Sequence, residues 1–198
     1  MSETTTTITR DDVWSLVTEF VQSESLRRHC LSVETAMRAY AQKFGEPEDD
    51  WGLVGLVHDF DFEIHPTLDQ HPAEGARILK ERGYPEWAIR AVLAHGENTG
   101  VLPESRMERT LVAVDELTGF ISAVAWVRPS KAVADVTPSA VRKKMKDKAF
   151  ARAIDRNHIT QGAELLGVDL DEHIQFVIDA MTAHAEQLGL QGVPVDGS

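Results

Sequence analysis

Six side chains suited to metal coordination lie in apolar stretches of this sequence: His29, the adjacent pair His58-Asp59, His71, His95 and Asp115. The pair ends the run Leu53-Val54-Gly55-Leu56-Val57, whose tendency to bury carries an imidazole and a carboxylate inward with it. A buried carboxylate is costly unless it is paired, hydrogen-bonded or bound to a metal. A lone histidine on a helix is more often a hydrogen-bonded core or surface residue than a ligand. Repetition of His or Asp on one apolar face after another is what points to a shared centre. Imidazoles and carboxylates without thiolates suit divalent Fe, Mn, Co or Zn better than soft-metal chemistry.

The elements that must position these groups read as helices throughout. Asp11 and Asp12 open the first, with Val13, Trp14, Leu16, Val17 and Phe20 facing inward. The second runs from about Ser25 to Gly45 on the stripe Leu26, Val33, Met37, Tyr40 and Phe44. His29 falls on that stripe, three residues after Leu26 and four before Val33. Pro47 and three acidic residues open a helix through Asp59, and Phe60 to Pro66 form an acidic and aromatic loop. His71-Pro72 starts a helix closed by Gly83. Pro85 starts the next, in which Ala88, Ala91, Val92 and His95 share a face before Gly96.

From Met107 to about Val127 the pattern is apolar nearly all round, which marks a central helix, and at least one of Asp115 and Glu116, the charges in its middle, should have a partner. A basic stretch after Thr137-Pro138, a helix over 155–166 and a last one from Asp169 through about Leu188 complete the chain. Residues 1–9 and 191–198 read as flexible tails. The expected fold is all-α: one domain over 10–190, with a core at about 25–127 and a C-terminal helical extension at about 128–190.

Composition bounds the function. With 42% apolar and 26% charged residues the chain is an ordinary globular one. Its formal charge of -12 argues against a nucleic-acid or anionic-membrane surface, though a small phosphorylated substrate needs only a local cluster of cations. The single Cys30 cannot build a disulfide framework and reads as a structural thiol, which fits a cytoplasmic location. Neither a signal peptide nor a membrane span of ~18 apolar residues is visible.

His29, then His58-Asp59, then Asp115 resembles the HD superfamily of metal-dependent phosphohydrolases. His71 in His71-Pro72-Ala73-Glu74-Gly75, and His95 at the end of Ala88 to His95, resemble the extra histidines of its dinuclear members. Those members include cyclic-dinucleotide phosphodiesterases and mixed-valent di-iron oxygenases. The resemblance covers roughly Ser25 to Val127 and implies an HD-type helical bundle. It further implies that His29, His58, Asp59 and Asp115 hold one metal, and that His71, His95 and a bridging Asp59 hold a second. Two departures stand out. Asp59 is followed by Phe60-Asp61-Phe62 rather than Ile-Gly. Gly83-Tyr84-Pro85 spells the cyclic-dinucleotide signature at a helix junction, not after the His-Asp pair.

The activity implied is hydrolysis of a small phosphomonoester or phosphodiester, nucleotides included, by a metal-activated water. A di-iron oxygenase on the same ligands and a non-catalytic, ligand-sensing HD domain stay open. Asp59 is the central catalytic candidate. Asp61 and Glu63, just beyond it, are candidates for general acid or for orienting the water, against the plainer reading of a solvated acidic loop. Arg128, Lys131, Lys143 and Lys144 are candidates for a phosphate clamp, although a charge run is usually a solvated helix face. His65, His158, His173 and His184 read as surface residues, and Trp51 and Trp87 as core packing.

Overall fold

A computed structural model describes residues 8–194 of the chain. Among the described residues there are nine α-helices, two short 3-10 turns and no strand: α1 (Arg10–Phe20), α2 (Glu24–Phe44), α3 (Glu48–Val57), α4 (Ala73–Glu81), α5 (Glu86–His95), α6 (Arg106–Trp126), α7 (Pro138–Met145), α8 (Arg156–Leu166) and α9 (Leu170–Ala183). None is long and apolar enough to cross a membrane.

Local chemistry sets the helix ends. Thr9 and Asp12 form a capping box on α1, and Ser105 and Glu108 form one on α6, each satisfying otherwise orphaned N–H groups. Gly45 terminates α2 in the left-handed region at φ 70°. Glu34 is buried on α2 yet doubly compensated, by Arg10 at 2.7 Å and Arg38 at 3.0 Å, which ties α1 to α2.

The site rests on two long helices, α2 and α6, which pack on each other and on α3. Closeness depends on two glycines. A Cβ at Gly55 of α3 would sit 2.9 Å from the Glu34 Cα, and one at Gly162 of α8 would sit 2.7 Å from the Ala113 Cα. Neither backbone can yield, so α3 reaches α2, and α8 reaches α6, only with hydrogen at those positions. The core formed between them includes Val33, Met37, Val54, Leu56, Leu111, Leu117 and Ile121.

Several expectations need correction. The last helix stops at Ala183 instead of running to Leu188. Turns over 184–189 and a left-handed Gly189 reverse the chain, so that Leu188 and Leu190 enter the core. His71 lies in the turn before α4, not inside the helix. Trp87 is 41% exposed, whereas Trp51 is buried. Of the expected tails, residues 1–7 and 195–198 lie outside the described residues. Thr9 caps α1, and Gln191 pairs with Ala132 in an isolated antiparallel bridge.

Candidate metal centre

The end of α3, the turn before α4, the end of α5, the first turns of α2 and the middle of α6 converge. His29, His58, Asp59 and Asp115 form one group, and Asp59, His71 and His95 a second, with donor atoms in each within 4.8 Å of one another. In the first, Nε2 of His58 lies 3.3 Å from Nε2 of His29 and 3.4 Å from Asp115 Oδ1. Asp115 Oδ1 is 3.0 Å from His29 Nε2. Asp59 belongs to both groups through different oxygens. Its Oδ2 is 3.6 Å from Nε2 of His29 and of His58, and its Oδ1 is 3.2 Å from His71 Nε2 and 3.4 Å from His95 Nε2.

Ring orientation is fixed from behind. The Nδ1–H of His58 donates to the Gly55 carbonyl at 2.8 Å, and that of His95 donates to the Val92 carbonyl. His71 donates its Nδ1–H to Asp61 Oδ1 at 2.8 Å, while Asp61 Oδ2 accepts the Gly75 N–H at 2.9 Å. In their neutral forms these three histidines therefore turn Nε2 lone pairs into the centre. Lone pairs of His71 and His95 only 3.2 Å apart repel unless a cation or a proton lies between them. The donor set fits divalent metal ions for that reason.

Electrostatics points the same way. Burial alone would lower the pKa of His58, but the Asp59 and Asp115 carboxylates outweigh it and lift the imidazole to about 9. His71 is likewise lifted to about 10, against burial, by Asp59 and Asp61. Asp59 and Asp115 are held well below the usual carboxylate range by surrounding imidazoles, although burial opposes this. Four groups thus favour positive charge at their meeting point.

The structure gives other candidates different places. Asp61 is fully buried behind His71, away from solvent. Glu63 accepts the N–H groups of Gln22 at 3.0 Å and Ser23 at 2.9 Å, at the junction of α1 and α2. Arg128 and Lys131 lie in the connection between α6 and α7, and Lys143 and Lys144 lie in the last turn of α7. Lys131 holds its Nζ 6.0 Å from the Trp126 ring, and Lys144 stands 4.7 Å over Phe150. Cys30 is buried, and burial pushes its thiol up, which suits a structural role.

Glu116 and His173 take places that the sequence reading did not assign to them. Glu116 is pushed up to about 7 by burial and by the neighbouring Asp115 charge, and lies 4.0 Å from His158. Its signal was a second carboxylate beside Asp115 in an otherwise apolar stretch. His173, read as a surface residue, is buried: its Nε2–H donates to the Ala113 carbonyl at 2.9 Å and Nδ1 accepts from the Tyr40 hydroxyl at 2.5 Å. Its own stripe carried that signal, because Leu170, His173, Ile174, Val177 and Met181 keep helical spacing.

Comparison with known proteins agrees with this geometry. Searches among curated proteins and among solved structures each return no match. The family model described as HD domain matches residues 26–118, just under half of the chain. That span contains both donor groups in full. Residues 26–118 are an HD domain, with further helices beyond it.

Proposed function

We propose that the chain is a metal-dependent phosphohydrolase acting on a small phosphomonoester or phosphodiester. The observation that carries this reading is the sharing of Asp59 between two donor groups. A carboxylate with one oxygen in each group could hold two ions side by side, the arrangement that suits in-line phosphoryl displacement. Divalent cations held by these six residues would lower the pKa of a water and neutralise charge on phosphoryl oxygens.

The chain's own residues do the rest. Asp59 keeps the two groups in fixed register, with its carboxylate ionised by the surrounding imidazoles. The Gly55 and Val92 carbonyls and the Asp61 carboxylate lock three rings in the tautomer that presents Nε2. The fully buried His58 and nearly buried His71 keep bulk water from competing at the inner face.

The test is phosphate release from p-nitrophenyl phosphate and bis(p-nitrophenyl) phosphate by the metal-loaded full chain. Wild type should turn over at least one of them. Asp59→Ala should lose turnover with an unchanged helical circular-dichroism spectrum. Retained turnover by a metal-stripped Asp59→Ala protein overturns the reading. Oxygen consumption by an iron-loaded protein that releases no phosphate would transfer the same ligands to oxygenase chemistry.

A further inference from the structure

A cavity of about 470 Å³ lies between the start of α2 and the second half of α6, closed on one side by Leu188 and Leu190. It touches the metal centre through one residue, His29. Three of the four histidines spend Nδ1 on a protein acceptor, but Nδ1 of His29 has no partner among the described residues. A histidine that coordinates through Nε2 normally donates its other N–H to a carboxylate, a carbonyl or water. Here the side toward the cavity is where an acceptor can come from.

Gly119, on the same wall, supports this. Glycine in a helix interior is destabilising relative to alanine, so it needs a reason. At Gly55 and Gly162 the reason is close-packed backbone. At Gly119 a Cβ would meet only Ile154 Cδ1 at 3.5 Å and His29 Nδ1 at 3.8 Å, both ordinary contacts. No protein neighbour demands the glycine, and what it leaves open is space beside the His29 ring.

The wall also states what could fill that space. Ser32 and Ser122 donate their hydroxyl hydrogens to the Arg28 and Thr118 carbonyls, which leaves their oxygens as acceptors. Glu24, paired with Arg28, adds a carboxylate acceptor, and Arg28 adds donors. On the same wall, one helical turn after Ser122, the half-exposed Trp126 offers an apolar face. Acceptors along one edge call for a ligand rich in O–H donors, and the indole calls for a flat C–H face against it.

We propose that the cavity between α2 and α6 receives the hydroxyl-bearing, ring-sized body of the substrate, with Gly119 leaving it room and one of its oxygens accepting the Nδ1–H of His29. This rests on the phosphohydrolase reading and narrows its substrates to phosphorylated polyhydroxy compounds of the sugar-phosphate type.

Calorimetric binding to the metal-loaded full chain tests it, with glucose 1-phosphate, phenyl phosphate and inorganic phosphate as probes. Glucose 1-phosphate should bind at least about tenfold more tightly than either of the others, a difference readily resolved in Kd. Gly119→Val and Trp126→Ala should each abolish that advantage while metal content and affinity for inorganic phosphate stay unchanged. Gly119→Ala, which nothing in the protein opposes, should raise Tm and serves as the folding control. Equal affinities, tightest binding by phenyl phosphate, or an advantage that survives Gly119→Val overturns the cavity assignment alone. Glucose 1-phosphate bound with its advantage but never hydrolysed overturns the phosphohydrolase reading and leaves the cavity standing. No binding of any probe overturns both.

Discussion

Asp61 stands behind His71 as its acceptor, 2.8 Å from Nδ1, and is itself held by the Gly75 N–H. Both neighbours are donors, so the site needs a carboxylate with two acceptor oxygens. Asp61→Asn places an amide NH2 against one of them. Metal affinity at the His71 and His95 group should fall by roughly 10–100-fold, the usual effect of losing such a support. Equilibrium dialysis against a graded chelator would show the weaker group emptying first. Gly75→Ala should behave alike, since its Cβ would meet the Asp61 Cγ at 2.5 Å.

Glu63, a neighbour of the pair in sequence, has a different role. It collects two backbone N–H groups at the start of α2, so Glu63→Ala should cost on the order of 1 kcal/mol of stability. Phosphate release per metal-loaded chain should be unchanged. A turnover loss of tenfold or more with an unaltered Tm would instead return Glu63 to the reaction.

Protons and metal compete for the same place, which gives stability a definite pH dependence. His58 rises from 6.5 to about 9 and His71 from 6.5 to about 10 on folding without metal. The stability this supplies is fully present below pH 6.5 and is lost as pH climbs through 9 to 10. Asp59 and Asp115, shifted down, supply stability above about pH 4 that disappears in acid. In chelator, Tm should therefore decline from pH 6.5 toward 9.5. With excess divalent metal that decline should flatten, because metal replaces the protons. A chelated protein whose Tm holds or increases across that range would contradict the electrostatic picture.

The Tyr40–His173 pair links α2 to α9, and through the Ala113 carbonyl to α6. Tyr40→Phe leaves the buried Nδ1 of His173 without a donor and should cost about 1–3 kcal/mol. Chemical denaturation would read that loss as a lower midpoint at unchanged slope. Metal stoichiometry should not move, which separates structural from ligating histidines.

What was legible in the sequence follows from periodicity. The stripes of α2, α5 and α6 orient His29, His95 and Asp115 toward an interior, and the apolar run of α3 carries His58 there, because burial direction depends only on residue spacing. Distances between helices were not legible. They depend on close approaches such as Gly55 on Glu34 and Gly162 on Ala113, whose partners lie far apart in the chain. Glu63 illustrates the limit, since its acceptor role needs Gln22 and Ser23 about forty residues earlier. His173 was legible by the same spacing that oriented His29 and was misread as a surface residue because its setting did not resemble a ligand's. The cavity beside His29 had no sequence signal except Gly119, a helix-interior glycine without an evident packing partner.

The most direct test of the shared centre is the metal content of the purified full chain, by elemental analysis, beside that of Asp59→Ala. With Asp59 spanning both donor groups, wild type should hold two divalent transition-metal ions per chain, and Asp59→Ala should lose both to a chelator that leaves wild type loaded. A wild type that takes up no metal, or an Asp59→Ala protein that keeps two, would contradict the account.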